Sequence, residues 1–103
     1  MKPAMIISTY PNKILIQKIT NELIENKIIA CVNITKISSI YSWNDKIENT
    51  TEYLAIFKTT QKNKKILKEK IKETHPYQVP EIAEITISSI NSSYFKWLTE
   101  ATS

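Results

Sequence analysis

The period of the hydrophobic pattern changes repeatedly along this chain, and each change marks an element. Residues 4–9 form a short, mostly apolar run that reads as a buried strand. It ends at Tyr10-Pro11-Asn12, a turn-like stretch with Pro11 suited to the first turn of a helix. Over residues 12–27 the apolar Leu15, Ile16, Ile19, Leu23 and Ile24 recur at helical spacing and leave Lys18, Glu22 and Glu25 for solvent, which predicts an amphipathic helix. Residues 28–43 are rich in β-branched and aromatic side chains, Asn44-Asp45 follows, and a second strand-like stretch runs over 46–59. An Asn-Asp loop between two such arms predicts a long hairpin whose turn needs positive φ. In the first arm Val32 and Ile34 are followed by Ile37 and Ile40 at steps of three, a slip that predicts a bulge or bend. Residues 53–57 are continuously apolar and predict a central strand covered on both faces.

Residues 61–74 predict a second helix, with Ile66, Leu67 and Ile71 as a narrow apolar stripe and lysines over most of the rest. Residues 81–90 read as a strand with Ala83, Ile85 and Ile87 on one face. Asn91 or Ser92 then caps a last short helix in which Tyr94, Trp97, Leu98 and Ala101 fall at i, i+3, i+4 and i+7. The order β-α-β-β-α-β-α predicts an α+β fold in one domain, residues 1–103. It is a ferredoxin-like βαββαβ sandwich with an antiparallel sheet, a long central hairpin and an additional C-terminal helix. Such a sandwich leaves one sheet face and its edges open, and a hairpin this long carries apolar residues, Tyr41 and Trp43 among them, that need cover. Self-association through the hairpin is the simplest cover.

Composition narrows the functional classes. A chain of 103 residues is long enough to bury one core without disulfides or a structural metal. No apolar run approaches the ~18 residues of a membrane span, and the N-terminal apolar run is too short for a signal peptide, so the expectation is a cytoplasmic protein without a membrane partner. The single cysteine, Cys31, excludes an intrachain disulfide and a CxxC zinc site, and its small, apolar neighbours predict a buried side chain. The net charge of +4 suggests a polyanion, but all 14 basic residues are lysine and glycine is absent. That skew matches AT-biased coding, and without arginine the chain lacks the preferred residue for bidentate phosphate or base recognition, so no nucleic-acid partner is expected. Without glycine there is neither a phosphate loop nor a nucleophile elbow, and the chain is not expected to be an enzyme.

The stretches "ACVNI" (30–34), "SIYSWNDKIE" (39–48), "EYLAIFKT" (52–59), "HPYQVPEI" (75–82) and "YFKWL" (94–98), in this order and spanning nearly the whole chain, resemble the CutA family of divalent-cation tolerance proteins. The resemblance implies a ferredoxin-like protomer, a homotrimer built through the long hairpin strands, a cytoplasmic location and a role in copper and divalent-metal tolerance. The chain departs from the family pattern at Asp45, where the hairpin turn usually carries glycine, and at Ser42, where an aromatic is common. Ser8 and Thr74 stand where members with proposed copper ligation have a cysteine and a second histidine. Of that ligand set only His75 remains, which leaves copper as a weakly held cofactor at most.

His75 therefore carries two readings. As the last residue of a helix that Pro76 stops, it sits where the helix dipole favours a cation; as a metal ligand, it needs Glu81, Tyr77 or a neighbouring copy's Glu52 beside it. Tyr41, Trp43, Glu52, Lys58, Tyr77 and Glu81 lie on or beside strand ends, and the family resemblance places the matching positions along clefts between subunits. Aromatic rings mixed with Lys58 and two carboxylates suit either an interface or a small polar ligand. Three functions follow. One is a trimeric copper and divalent-cation tolerance protein. Another is a non-enzymatic small-molecule sensor with PII-like clefts between subunits. The third, an RNA-recognition module with the same element order, fails on "EYLAIFKT", which lacks the basic-Gly-aromatic pattern.

Overall fold

The structure, a computed structural model, describes residues 2–103. β1 (Pro3–Tyr10) is followed by α1 (Lys13–Glu25), the hairpin β2 (Cys31–Trp43) and β3 (Lys46–Thr60), α2 (Lys64–Thr74), a short β4 (Ala83–Ile85) and α3 (Ser92–Ala101). The four strands make one sheet in the order β2-β3-β1-β4, with every pairing antiparallel. This is the ferredoxin-like arrangement that the element order predicts.

Alternation along β1 sets the two faces. Ala4, Ile6, Ser8 and Tyr10 are buried and the residues between them only partly so, which puts the first set under the helices. Ile6 and Tyr10 meet Ala55 and Phe57 of β3, Ile16, Ile19 and Leu23 of α1, and Leu67 and Ile71 of α2 in one core. α3 lies on the opposite face. Lys58 alternates with core-facing Phe57 and Thr59, and its ammonium sits 5.6 Å from the Tyr94 ring centroid. β3 is central, yet its cover is unequal: Ala55 and Phe57 are sealed, whereas Leu54 and Ile56 on the other face are half-buried within a single chain.

Local chemistry accounts for the ends of the elements. Asn12, not Pro11, caps α1, with its side-chain oxygen accepting from the Leu15 N–H at 3.0 Å. α1 closes in a Schellman motif: Lys27 N–H donates to the Ile24 carbonyl and Ile28 N–H to the Leu23 carbonyl, with Lys27 itself left-handed at φ 58°. The hairpin turn is left-handed at both central residues, Asn44 at φ 50° and Asp45 at φ 63°, as a two-residue turn between right-twisted arms requires.

Two expectations are corrected. The hairpin has no bulge, for its register is constant from Cys31↔Lys58 to Trp43↔Lys46. The steps of three arise because the apolar residues change face: Val32 and Ile34 point to the helices, Ile37 lies on the opposite face across from Glu52, and Ile40 is exposed beyond the reach of α1 and α2. The last strand is also shorter than residues 81–90, pairing only from Ala83↔Ile7 to Ile85↔Met5. Continuing that register would bring Ile87 opposite Pro3, which has no N–H with which to extend the ladder. Beyond Tyr10↔Tyr53 the hairpin has no third strand, so its outer half projects as a two-stranded ribbon and the chain spans 45 × 27 × 21 Å.

Candidate functional site

The inner face of the projecting ribbon and the loop after α2 enclose a cleft of about 860 Å³. The hairpin register builds one wall. Ile37, Tyr41 and Trp43 of β2 and Glu48 and Glu52 of β3 fall on one face because side chains alternate, and Glu48 lies directly across from Tyr41. Tyr77, Gln78, Val79 and Glu81 of the α2–β4 loop form the other wall. Thus Tyr41, Trp43, Glu52, Tyr77 and Glu81, singled out from the sequence, share one site. Lys58 does not join them: it shares the sheet face of Glu52 but lies six residues further along β3, with its ammonium over the Tyr94 ring of α3.

Glu52 and Tyr77 tie the two walls together. The Tyr77 hydroxyl donates to a Glu52 carboxylate oxygen at 2.7 Å, and Glu52 is only 8% exposed. Burial, then the bond to Glu52 and the charges nearby, raise the Tyr77 hydroxyl well above the usual phenol range, so it stays a donor. Glu48, Glu52 and Glu81 take part in no ion pair among the described residues; Lys64 and Lys68 go to Glu84 instead. The lining contains three carboxylates and no lysine. That acidic balance is the main difference from the mixed-charge site expected from the sequence, and its cause is the placement of Lys58.

His75 stands behind this cleft and not in its lining. Its ring stacks on Tyr10 with centroids 4.3 Å apart, Nε2 lies 2.8 Å from the Thr9 carbonyl, and Nδ1 lies 3.2 Å from the Tyr77 N–H. A carbonyl only accepts and an amide N–H only donates, so the ring is neutral, with its proton on Nε2. Burial lowers the imidazole pKa, outweighing the Thr9 bond and the Glu52 charge that raise it. Desolvation is therefore the larger effect, and the neutral ring is favoured. His75 is the C-cap of α2, extended at φ −75° and ψ 133°, and its ring holds the backbone at Tyr77 in place.

These positions bear on a metal. Both nitrogens of His75 are engaged, and Thr74 hydrogen-bonds to the Lys70 carbonyl at 2.8 Å. Ser8 is sealed under the helices; neither its hydroxyl nor that of Tyr10 has a partner in hydrogen-bond geometry, and burial pushes Tyr10 up to about 12 despite the nearby Ser8. Among the described residues no three His, Cys, Asp or Glu side chains come close enough to hold a metal ion. Within one chain the donors present do not make a copper site. Cys31 is half-exposed instead of sealed in the core, because its position in β2 puts it on the face away from α1 and α2.

The profile of the CutA1 divalent ion tolerance protein family matches residues 4–101. The chain belongs to this family. The divalent-cation tolerance protein CutA of Thermococcus kodakarensis is 40% identical over 95% of this chain and 94% of its own length. CutA1 from Ehrlichia chaffeensis superposes with a TM-score of 0.94 at 37% identity, covering all of this chain and 98% of that one. The periplasmic divalent cation tolerance protein CutA of Archaeoglobus fulgidus superposes with a TM-score of 0.93 at 32% identity over 98% of this chain and 99% of that one. The CutA fold is thus shared along the full length of the cleft-forming elements. No helix among the described residues is long and apolar enough to cross a membrane.

Sequence reasoning missed Glu48. The signal was available, since an Asn44-Asp45 turn makes Trp43 and Lys46 partners and places Glu48 opposite Tyr41 two steps later.

Proposed function

We propose that this CutA-family chain is a non-enzymatic, cytoplasmic, homotrimeric divalent-cation tolerance protein that holds Cu(II) weakly at a boundary between copies. The observation that carries the reading is Glu52, a nine-tenths buried carboxylate that, like the other carboxylates of the cleft, has no cationic partner among the described residues. Copper at His75 requires the ring to exchange one of two hydrogen bonds for the metal and to gain ligands from a neighbouring copy, so the affinity is low. Titrating Cu(II) calorimetrically into wild type, His75→Ala and Glu52→Gln tests this. Weak saturable binding that falls in both variants supports it. Equal affinity in wild type and His75→Ala removes His75 from any metal role, and absence of binding in wild type ends the copper reading.

A second reading is a PII-like small-molecule sensor, and the size of the cleft favours it. A volume of about 860 Å³ is in the range of organic ligand pockets and far larger than one ion needs.

A further inference from the structure

We propose that the cleft binds an organic cation carrying an alkylated ammonium group. The inference rests on the sensor reading and names the ligand class it leaves open. Buried charges in folded proteins are normally paired, because desolvating an isolated carboxylate is costly. Glu52 has a neutral phenol as its hydrogen-bond partner and, among the described residues, no counter-ion. Among the described residues no lysine lines the cleft and none pairs with Glu52. His75 is neutral in its two hydrogen bonds, Lys58 sits over Tyr94, and Lys46, the cross-strand neighbour of Trp43, lies at the exposed ribbon tip outside the lining.

The remaining lining decides between kinds of cation. Glu48 and Glu52 are four residues apart on one face of β3, which separates their backbones by about 13 Å. Together with Glu81 they surround a volume without converging on a point, and no three ligating groups among the described residues could hold a metal ion. A small, hard ion therefore meets one carboxylate at a time. A cation several ångströms across can meet a carboxylate and an aromatic ring together, and Tyr41, Trp43 and Tyr77 are the rings in the lining. Aromatic rings attract alkylated ammonium through their quadrupoles while carboxylates supply the charge. An anion or nucleotide faces three unpaired carboxylates, and a neutral apolar ligand leaves Glu52 without a counter-charge.

Choline serves as the probe, with its neutral carbon isostere, in which tert-butyl replaces trimethylammonium, as the control. Calorimetric titration should give saturable choline binding and at least tenfold weaker binding of the isostere. Trp43→Ala and Glu81→Gln should each weaken choline roughly tenfold, the scale of one cation–aromatic or charge contact. Glu81 is exposed, so its variant tests the charge without disturbing the buried Glu52–Tyr77 pair. Equal binding of choline and isostere, or choline binding unchanged in both variants, overturns the proposal. If choline fails while a small dicarboxylate binds and is lost in Trp43→Ala, the sensor reading stands and the cation assignment falls. If no organic probe binds, both fall, and Cu(II) titration alone then carries the cleft's function.

Discussion

His75 makes two hydrogen bonds that only its neutral form can make together. A second proton would land on Nδ1, facing the Tyr77 N–H, and would break the bond that holds the loop carrying Tyr77 and Glu81. The folded state lowers the imidazole pKa below its value in the unfolded chain, so between the two the unfolded state binds more protons. The stabilisation is complete above about pH 6.5 and is lost as pH falls from there through the folded value. Melting temperature should therefore drop between pH 7 and 5 in wild type and stay nearly level in His75→Gln. Glu84, held below its ordinary value by Lys64 and Lys68, adds a separate loss only at more acid pH, under its usual 4.5. Equal slopes for wild type and variant between pH 7 and 5 would show that the imidazole is not the group responsible.

At the scale of elements, what could be read from the sequence was whatever a short window determines. The helices were legible because Ile16, Ile19 and Leu23, or Leu67 and Ile71, repeat at one face's spacing, and the hairpin turn was legible because Asn-Asp tolerates left-handed backbone. The extent of β4 was not, since it depends on Pro3, some eighty residues away in the chain. The acidity of the cleft was equally hidden: Lys58 lies on the same strand as Glu52, and only the position of α3 shows that it turns to Tyr94. The end of α1 offers a local test. A Schellman motif normally places glycine at the left-handed position, where a Cβ costs about 1–2 kcal/mol; here Lys27 occupies it, in a chain that has no glycine. Replacing Lys27 by Gly leaves the carbonyl that Asn63 Nδ2 contacts at 3.1 Å, and should stabilise the fold by about 1 kcal/mol. A higher urea midpoint with unchanged slope would show it. A lower midpoint would mean that the lysine side chain contributes more than the backbone conformation costs.

On the scale of the whole molecule, one specific place in the single chain is left without cover. Two-stranded ribbons are marginally stable in water, yet residues 37–43 and 46–52 form one with no third strand. Its apolar side chains stay in solvent, with Ile40 at 69% and Ile47 at 82% exposure, and the half-buried Leu54 and Ile56 continue the same need for cover on the sheet face. The open edges at β2 and at the short β4 add unpaired backbone groups to it. A second chain bound at the ribbon removes these costs, and the closed ring expected of a CutA-type trimer lets every ribbon be covered in the same way. Sedimentation equilibrium at micromolar concentration should then give a mass roughly three times the 11.9 kDa of one chain. Because association stabilises only folded chains, the melting temperature should also rise with protein concentration. A monomer whose melting temperature does not change with concentration would mean that the ribbon is stable on its own, and the trimer would have to be abandoned along with any copper site shared between copies.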